Sequence, residues 1–202
     1  MGIVAKKIVA IVGSYRKGGI TDSAVLAILE AARERGAETR VLYLADEQLN
    51  FCTNCRRCTQ EPGAARGVCV QQDALHSILA VVDASDVLVL GSSVNYWNVT
   101  ARFRQFMERL ICYAYWPWGG AAPKLRSTQL TRKAVLVASA SMPGFCIPLL
   151  TGAARALRIT AKSLGGKPVA SLWIGIAGKQ PNQQLSQRTL ARARSIGLRL
   201  AA

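Results

Sequence analysis

Five apolar runs punctuate the chain, and the apolar period changes between them. Ile8-Val9-Ala10-Ile11-Val12 is continuous and ends at Gly13-Ser14, the pattern of a strand buried on both faces. Thr21-Asp22-Ser23 then supply N-cap chemistry. Val25, Ile28, Leu29 and Ala32 recur at i, i+3, i+4 and i+7 and predict one helical face, stopped by Gly36. Residues 39–44 predict a second strand, and 45–70 a long loop rich in cysteine. Residues 74–84 predict a helix with Leu75, Ile78, Leu79 and Val82 on one side, and 86–91 a third buried strand. A helix follows over 100–112, with Phe103, Phe106, Met107 and Leu110 facing in. Residues 113–131 read as irregular, 134–138 as a strand, 148–164 as a helix stopped by Gly165-Gly166, 169–176 as a strand and 185–200 as a basic helix. Strands alternating with helices predict the α/β class: a five-stranded parallel sheet with helices on both faces. No repeat or break in composition divides the chain, so one domain over 1–202 is expected, with 45–70 as an insertion.

Half of the 202 residues are apolar, which supplies a core and excludes a disordered chain. No window approaches eighteen uncharged apolar residues, so no transmembrane helix is expected. The apolar start is too short for a signal peptide and runs into Ser14-Tyr15-Arg16-Lys17, so a cytoplasmic protein is expected. Charge is uneven. Residues 1–109 carry thirteen Lys and Arg against all eleven acids, while 110–202 carry thirteen bases and no acid. The second half is therefore +13 of the total +15. Such asymmetry suits an anionic partner, whether nucleotide phosphate, nucleic acid or membrane surface, or it is drift in an Arg-rich composition.

In a doubly wound sheet the ligand sits beyond the carboxyl ends of the strands. The first such loop, Gly13-Ser14-Tyr15-Arg16-Lys17-Gly18-Gly19-Ile20-Thr21, holds hydroxyls at Ser14 and Thr21, two cations and adjacent glycines before a helix N-terminus. That is a phosphate-binding chemistry, although the loop is neither G-x-G-x-x-G nor a P-loop. It resembles the G-S-P-R-K-x-G-N-T loop of the NADPH-dependent FMN reductase family, which has a flavodoxin-like fold. The resemblance implies that Ser14, Arg16, Gly19 and Thr21 hold the FMN phosphate. Tyr15 stands in place of proline. Ile20 stands in place of asparagine and keeps only a backbone contact.

The loop Ser92-Ser93-Val94-Asn95-Tyr96-Trp97-Asn98-Val99-Thr100, with the helix to Arg109, is similar to the family's S-P-V-Y-F-G-N-V-[ST] segment and its K-x-F-[IM]-D-R continuation. The resemblance implies that Ser93, Val94, Asn95, Tyr96, Trp97 and Asn98 meet the flavin ring. Trp97 replaces a glycine, so it either blocks the flavin or turns out and stacks on it. Independently, a loop of amides and aromatics suits a flat heteroaromatic ligand. Ser139, Ala140 and Ser141, after the fourth strand, are implied to meet the ring's polar edge.

Cys52, Cys55, Cys58 and Cys69 form C-x2-C-x2-C-x10-C. Inside a cell this spacing reads as a metal or cluster site before disulfides. Four thiolates suit zinc or a [4Fe–4S] cluster, and redox-active free thiols remain open. The run, with Asp73, resembles the iron–sulfur flavoproteins of the same superfamily, whose last gap is about half as long. Cys112 and Cys146 read as buried apolar residues.

His76, the lone histidine, sits near a helix start and reads as a solvated or capping residue rather than a catalytic one. No nucleophile–base pair or carboxylate pair appears at the ligand edge, so a cofactor would carry the reaction. Tyr113, Tyr115, Trp116 and Trp118 read as an interface or a wall of the site. The Arg-rich last helix lacks a DNA-reading module, so nucleic acid is not the expected partner. The resemblance implies an FMN-dependent oxidoreductase. A hydride from NADPH or NADH would reach FMN, and electrons would pass to a quinone, flavin or similar small acceptor. It also implies a homodimer or homotetramer. Two alternatives stand beside this reading: an iron–sulfur flavoprotein passing single electrons, and a flavodoxin-like binding protein that has lost FMN.

Overall fold

The computed structural model describes residues 5–201. In chain order its elements are β1 (Lys7–Val12), α1 (Ile20–Arg33), β2 (Glu38–Tyr43), α2 (Leu75–Asp83), β3 (Val87–Asn95), β4 (Asn98–Val99), α3 (Ala101–Arg109), β5 (Ala114–Tyr115), β6 (Lys124–Leu125), β7 (Arg132–Ser139), α4 (Ile147–Leu150), α5 (Ala153–Ser163), β8 (Gly166–Ile174) and α6 (Gln187–Leu200). Five strands pair in parallel in the order β2-β1-β3-β7-β8, and short β4 folds back antiparallel on β3. This is the flavodoxin-like order.

The continuous apolar runs follow from coverage on both faces. Val9 and Ile11 of β1, Leu88 and Leu90 of β3 and Leu136 of β7 pack against α2, α3 and α5 through Ile78, Phe103, Phe106 and Leu157. The alternate residues Ile8, Ala10, Val12, Val87, Val89, Val135 and Val137 pack against α1 and α6 through Val25, Ile28, Ala193 and Ile196.

Several elements depart from the sequence reading. The helix read over 148–164 is two helices, broken at Thr151-Gly152. A Cβ on Gly152 would lie 2.6 Å from the Asn98 side-chain amide, and its N–H donates to the Trp97 carbonyl at 2.8 Å. Tertiary contact with the β3–β4 turn thus breaks a helical pattern. The helix read to 112 stops at Arg109 and passes into a 3-10 turn, Leu110–Tyr113. Helix α1 is capped by Gly19 rather than by Thr21-Asp22-Ser23, which lie inside its first turn. Strand β3 runs four residues beyond Gly91 to Asn95.

Candidate functional site

A cavity of about 420 Å³ opens beyond the carboxyl ends of β1, β3 and β7. The first loop gives it Ser14, Arg16, Gly19, Ile20 and Thr21. The second gives Ser93, Val94 and Asn95, and the third Ser139, Ala140 and Ser141. Hydrogen bonds fix the three to one another. The Ser93 N–H donates to Ser14 Oγ at 3.0 Å, and the hydroxyls of Thr21 and Ser139 pair at 2.7 Å. Thr100 caps α3 by accepting from the Phe103 N–H at 3.2 Å and donates to the Gly13 carbonyl at 2.5 Å.

The lining carries one charged side chain, Arg16, and no acid. Its guanidinium is steadied by the Pro181 carbonyl at 3.1 Å. Helix α1 begins at this wall without a side-chain cap, so its first amides and its dipole face the cavity. Lys17 turns away, into an ion pair with Asp46 at 2.6 Å, with its ammonium over the Tyr43 ring. Tyr43 itself is raised to about 12 by burial and by neighbouring Asp22. Ile20 is only 6% exposed, its side chain in the core, so it presents backbone to the cavity.

Tyr96, Trp97 and Asn98 do not line the cavity. Tyr96 and Trp97 form the two-residue turn between β3 and β4, with φ of 46° and 65°. Such a turn needs left-handed backbone at both positions, which glycine and asparagine adopt most readily. The turn aims both rings outward, 98% and 60% exposed. Trp97 therefore neither fills the cavity nor closes it. Asn98 caps its own strand through Val99 N–H at 2.9 Å and packs on Gly152.

Tyr15, Ala177 and Gly178 also line the cavity, and the residue-by-residue reading missed them. Tyr15 lies inside the recognised motif, at the position of its proline. Ala177 and Gly178 follow the last strand, so the rule that ligands meet strand carboxyl ends would have flagged them. The Ala177 N–H donates to the Ala140 carbonyl at 2.9 Å.

Cys52, Cys55, Cys58 and Cys69 line one small cavity of about 20 Å³, with Arg56 and Arg109. Among the described residues no three His, Cys, Asp or Glu side chains converge to hold a single metal ion. The thiols ring a small space rather than meet at a point. Cys55 is exposed and Cys52 half-buried, whereas Cys58 is buried. Asn54 and Arg56 take left-handed backbone, which curls the loop around its sulfurs. The Arg57 N–H on its sulfur draws the Cys55 thiol down. Burial, then the neighbouring thiols Cys69, Cys52 and Cys55, push Cys58 up.

The ten-residue gap is folded back on itself. A Cβ on Gly67 would lie 1.8 Å from the Cys58 carbonyl oxygen, so only glycine permits this approach. Arg126 donates to the carbonyls of Cys58, Glu61 and Gly63 at 3.1, 2.7 and 3.2 Å. Cys69 thereby returns to Cys58 despite the longer spacer. Trp116 and Trp118 sandwich the Arg56 guanidinium at 3.6 and 4.3 Å. They brace the cysteine loop and do not line the larger cavity. His76 meets the Gln71 carbonyl at 3.1 Å. Cys112 is buried and its thiol is pushed up to about 12. Cys146 is half-buried rather than buried. All six cysteines are free thiols.

No helix among the described residues is long and apolar enough to cross a membrane. An iron–sulfur flavoprotein of Archaeoglobus fulgidus is 34% identical over 111 residues, covering 55% of this chain and 48% of that protein. One from Methanocaldococcus jannaschii is 36% identical over 103 residues, 51% of each. The matched segment thus spans about half the length of these relatives. Among solved structures, an NAD(P)H:quinone oxidoreductase from Methanothermobacter marburgensis superposes with a TM-score of 0.69 at 17% identity, covering 98% of both chains. An FMN-dependent NADH-azoreductase of Bacillus anthracis, in complex with FMN, gives 0.69 at 11%, covering 98% of this chain and all of that one. At these identities the likeness shows a shared flavodoxin-like fold. Residues 6–146 match NADPH-dependent FMN reductase, and with most of the chain spanned by that match, the protein belongs to the NADPH-dependent FMN reductase family.

Proposed function

We propose that the protein is an FMN-dependent oxidoreductase that takes electrons from NADPH or NADH and delivers them to a quinone, flavin or similar small acceptor. The observation that carries this is the acid-free cavity at the sheet edge, with Arg16 as its one charge and the uncapped start of α1 in its wall. These groups match a phosphomonoester. Ser14, Arg16, Gly19 and Thr21 would hold the phosphate, with Ile20 contributing its amide. The loops 93–95 and 139–141 offer backbone and small side chains to a flat ring. FMN, when bound, supplies the hydride and electron chemistry; the chain supplies binding, orientation and charge. The cavity lining holds no carboxylate or imidazole to move a proton. The basic second half favours the approach of the anionic pyridine nucleotide.

The chain would act as one FMN-binding domain in the cytoplasm, as a homodimer or homotetramer. Tyr96, Trp97, Phe145, Leu149 and Leu150 are exposed on the segments next to the cavity, and a second copy would cover them. The experiment is a pair of binding titrations. FMN should bind well and riboflavin, which lacks the phosphate, poorly. Arg16→Ala should erase most of that difference. Equal binding of both flavins by the natural sequence would sink the phosphate assignment.

A second reading rests on the cysteine ring. Four thiols surround one cavity, and proteins aligned with this segment are called iron-sulfur flavoproteins. The donor set fits a [4Fe–4S] cluster, for which each thiolate would bind a separate iron. Iron and acid-labile sulfide assays on protein purified without oxygen decide it.

A further inference from the structure

Arg109 closes α3, and its side chain is 1% exposed although charged. It reaches three segments at once. Nη1 donates to Asp73 Oδ2 at 2.6 Å and to the Asn50 carbonyl at 2.6 Å. Nη2 donates to Asp73 Oδ1 at 3.1 Å and to Cys69 Sγ at 3.3 Å. The Asp73 side chain is 3% exposed and also accepts the backbone N–H groups of Asn50 and Leu75 at 2.9 and 3.1 Å. The guanidinium is therefore clamped bidentately by Asp73, and a further Nη2 N–H points at a sulfur.

Stability alone does not account for this arrangement. A buried ion pair carries a desolvation penalty that often cancels its attraction, and apolar residues of similar volume serve a core as well or better. Apolar residues cannot place an N–H and a positive charge on a thiolate. Lysine cannot serve the carboxylate, the carbonyl and the sulfur together, because it lacks the planar fork. The sequence motifs treat the two residues separately: Asp73 trails the cysteine run and Arg109 ends the ring-binding segment. The fold makes them one unit.

We propose that Arg109, aimed by Asp73, is the positioning residue of the Cys69 thiolate: it would hold that sulfur in the ring and stabilise the negative charge that a cluster there would gain on accepting one electron from the reduced flavin. The inference rests on the four-thiolate reading above. Hydrogen bonds to ligand sulfurs and nearby charge are among the levers that set cluster potentials. Arg109 would therefore raise the reduction potential.

The test uses the full chain, loaded with FMN and reconstituted with iron and sulfide without oxygen. Arg109→Lys is compared with the double variant Arg109→Met/Asp73→Asn, which removes the pair without stranding a buried charge. Bound FMN reports folding, since its cavity lies on other residues. Iron content and the cluster's one-electron potential are read. Both variants should bind FMN. They should hold less iron, or show the reduction equilibrium weakened at least about tenfold, a downward shift of about 59 mV. If either variant fails to fold, the other carries the comparison. Unchanged iron and potential in a folded variant would overturn the role of Arg109 and leave the cluster standing. Folded, FMN-loaded natural protein that takes up no iron would overturn the four-thiolate reading itself, and this inference with it.

Discussion

Thr21 and Ser139 lie 118 positions apart, yet their hydroxyls share one buried hydrogen bond of 2.7 Å. The bond ties the first turn of α1 to the end of β7, and so the phosphate side of the cavity to its far wall. Thr21→Val keeps the shape and strands the Ser139 hydroxyl. Leaving such a group unsatisfied costs about 1–3 kcal/mol, so the urea midpoint should fall accordingly. Thr21→Val/Ser139→Ala removes both partners and should recover much of the loss. A single variant as stable as the natural protein would show that this bond does not hold the loops together.

Trp97 occupies a left-handed turn position with its ring mostly in solvent. Left-handed backbone costs a residue with a Cβ about 1–2 kcal/mol. Trp97→Gly should therefore stabilise the monomeric fold by about 1 kcal/mol, read by denaturation at low protein concentration. FMN affinity should not change, because the ring lies outside the cavity. A large gain in flavin affinity would mean that the indole does reach into it.

Gly67 touches the Cys58 backbone where no side chain fits. Gly67→Ala forces the 58–69 segment to move, at about 1–3 kcal/mol of overpacking. Cys69 should then separate from Cys58 and iron uptake should drop, while FMN still binds. Normal iron uptake by this variant would show that the folded-back spacer does not bring Cys69 to the ring.

The thiols should differ in reactivity. Cys55 is exposed and its thiol is drawn down by the Arg57 N–H, so it should be alkylated first in cluster-free protein at neutral pH. Cys112, raised from 9.0 to about 12 by burial, should be alkylated last. Unfolded, Cys112 loses its proton near 9; folded, it keeps it to about 12. Stability is thus fully present below pH 9 and declines as pH rises through that window. Cys112→Ala should flatten the decline, as measured by melting temperature against pH. Peptide mass spectrometry that finds Cys112 modified before Cys55 would contradict both assignments.

The strands were legible because β1, β3 and β7 are covered on both faces, so their apolar runs are continuous. The cavity loops were legible because each follows a strand and carries local chemistry. What escaped depended on distance. The break at Gly152 comes from the Asn98 side chain, 54 positions earlier, and no local periodicity encodes it. The outward turn of Trp97 depends on pairing between β3 and β4. Asp73 and Arg109 stand 36 positions apart in different motifs, and only the packing of α3 beside the cysteine loop joins them.

The most direct measurement of the central claim follows the flavin absorbance of FMN-loaded protein under anaerobic conditions as NADPH, and separately NADH, is added. The flavin bands should bleach with at least one nucleotide and return when a quinone is supplied. Protein that takes up no FMN, or whose bound flavin is unchanged by both nucleotides, would contradict the proposed activity.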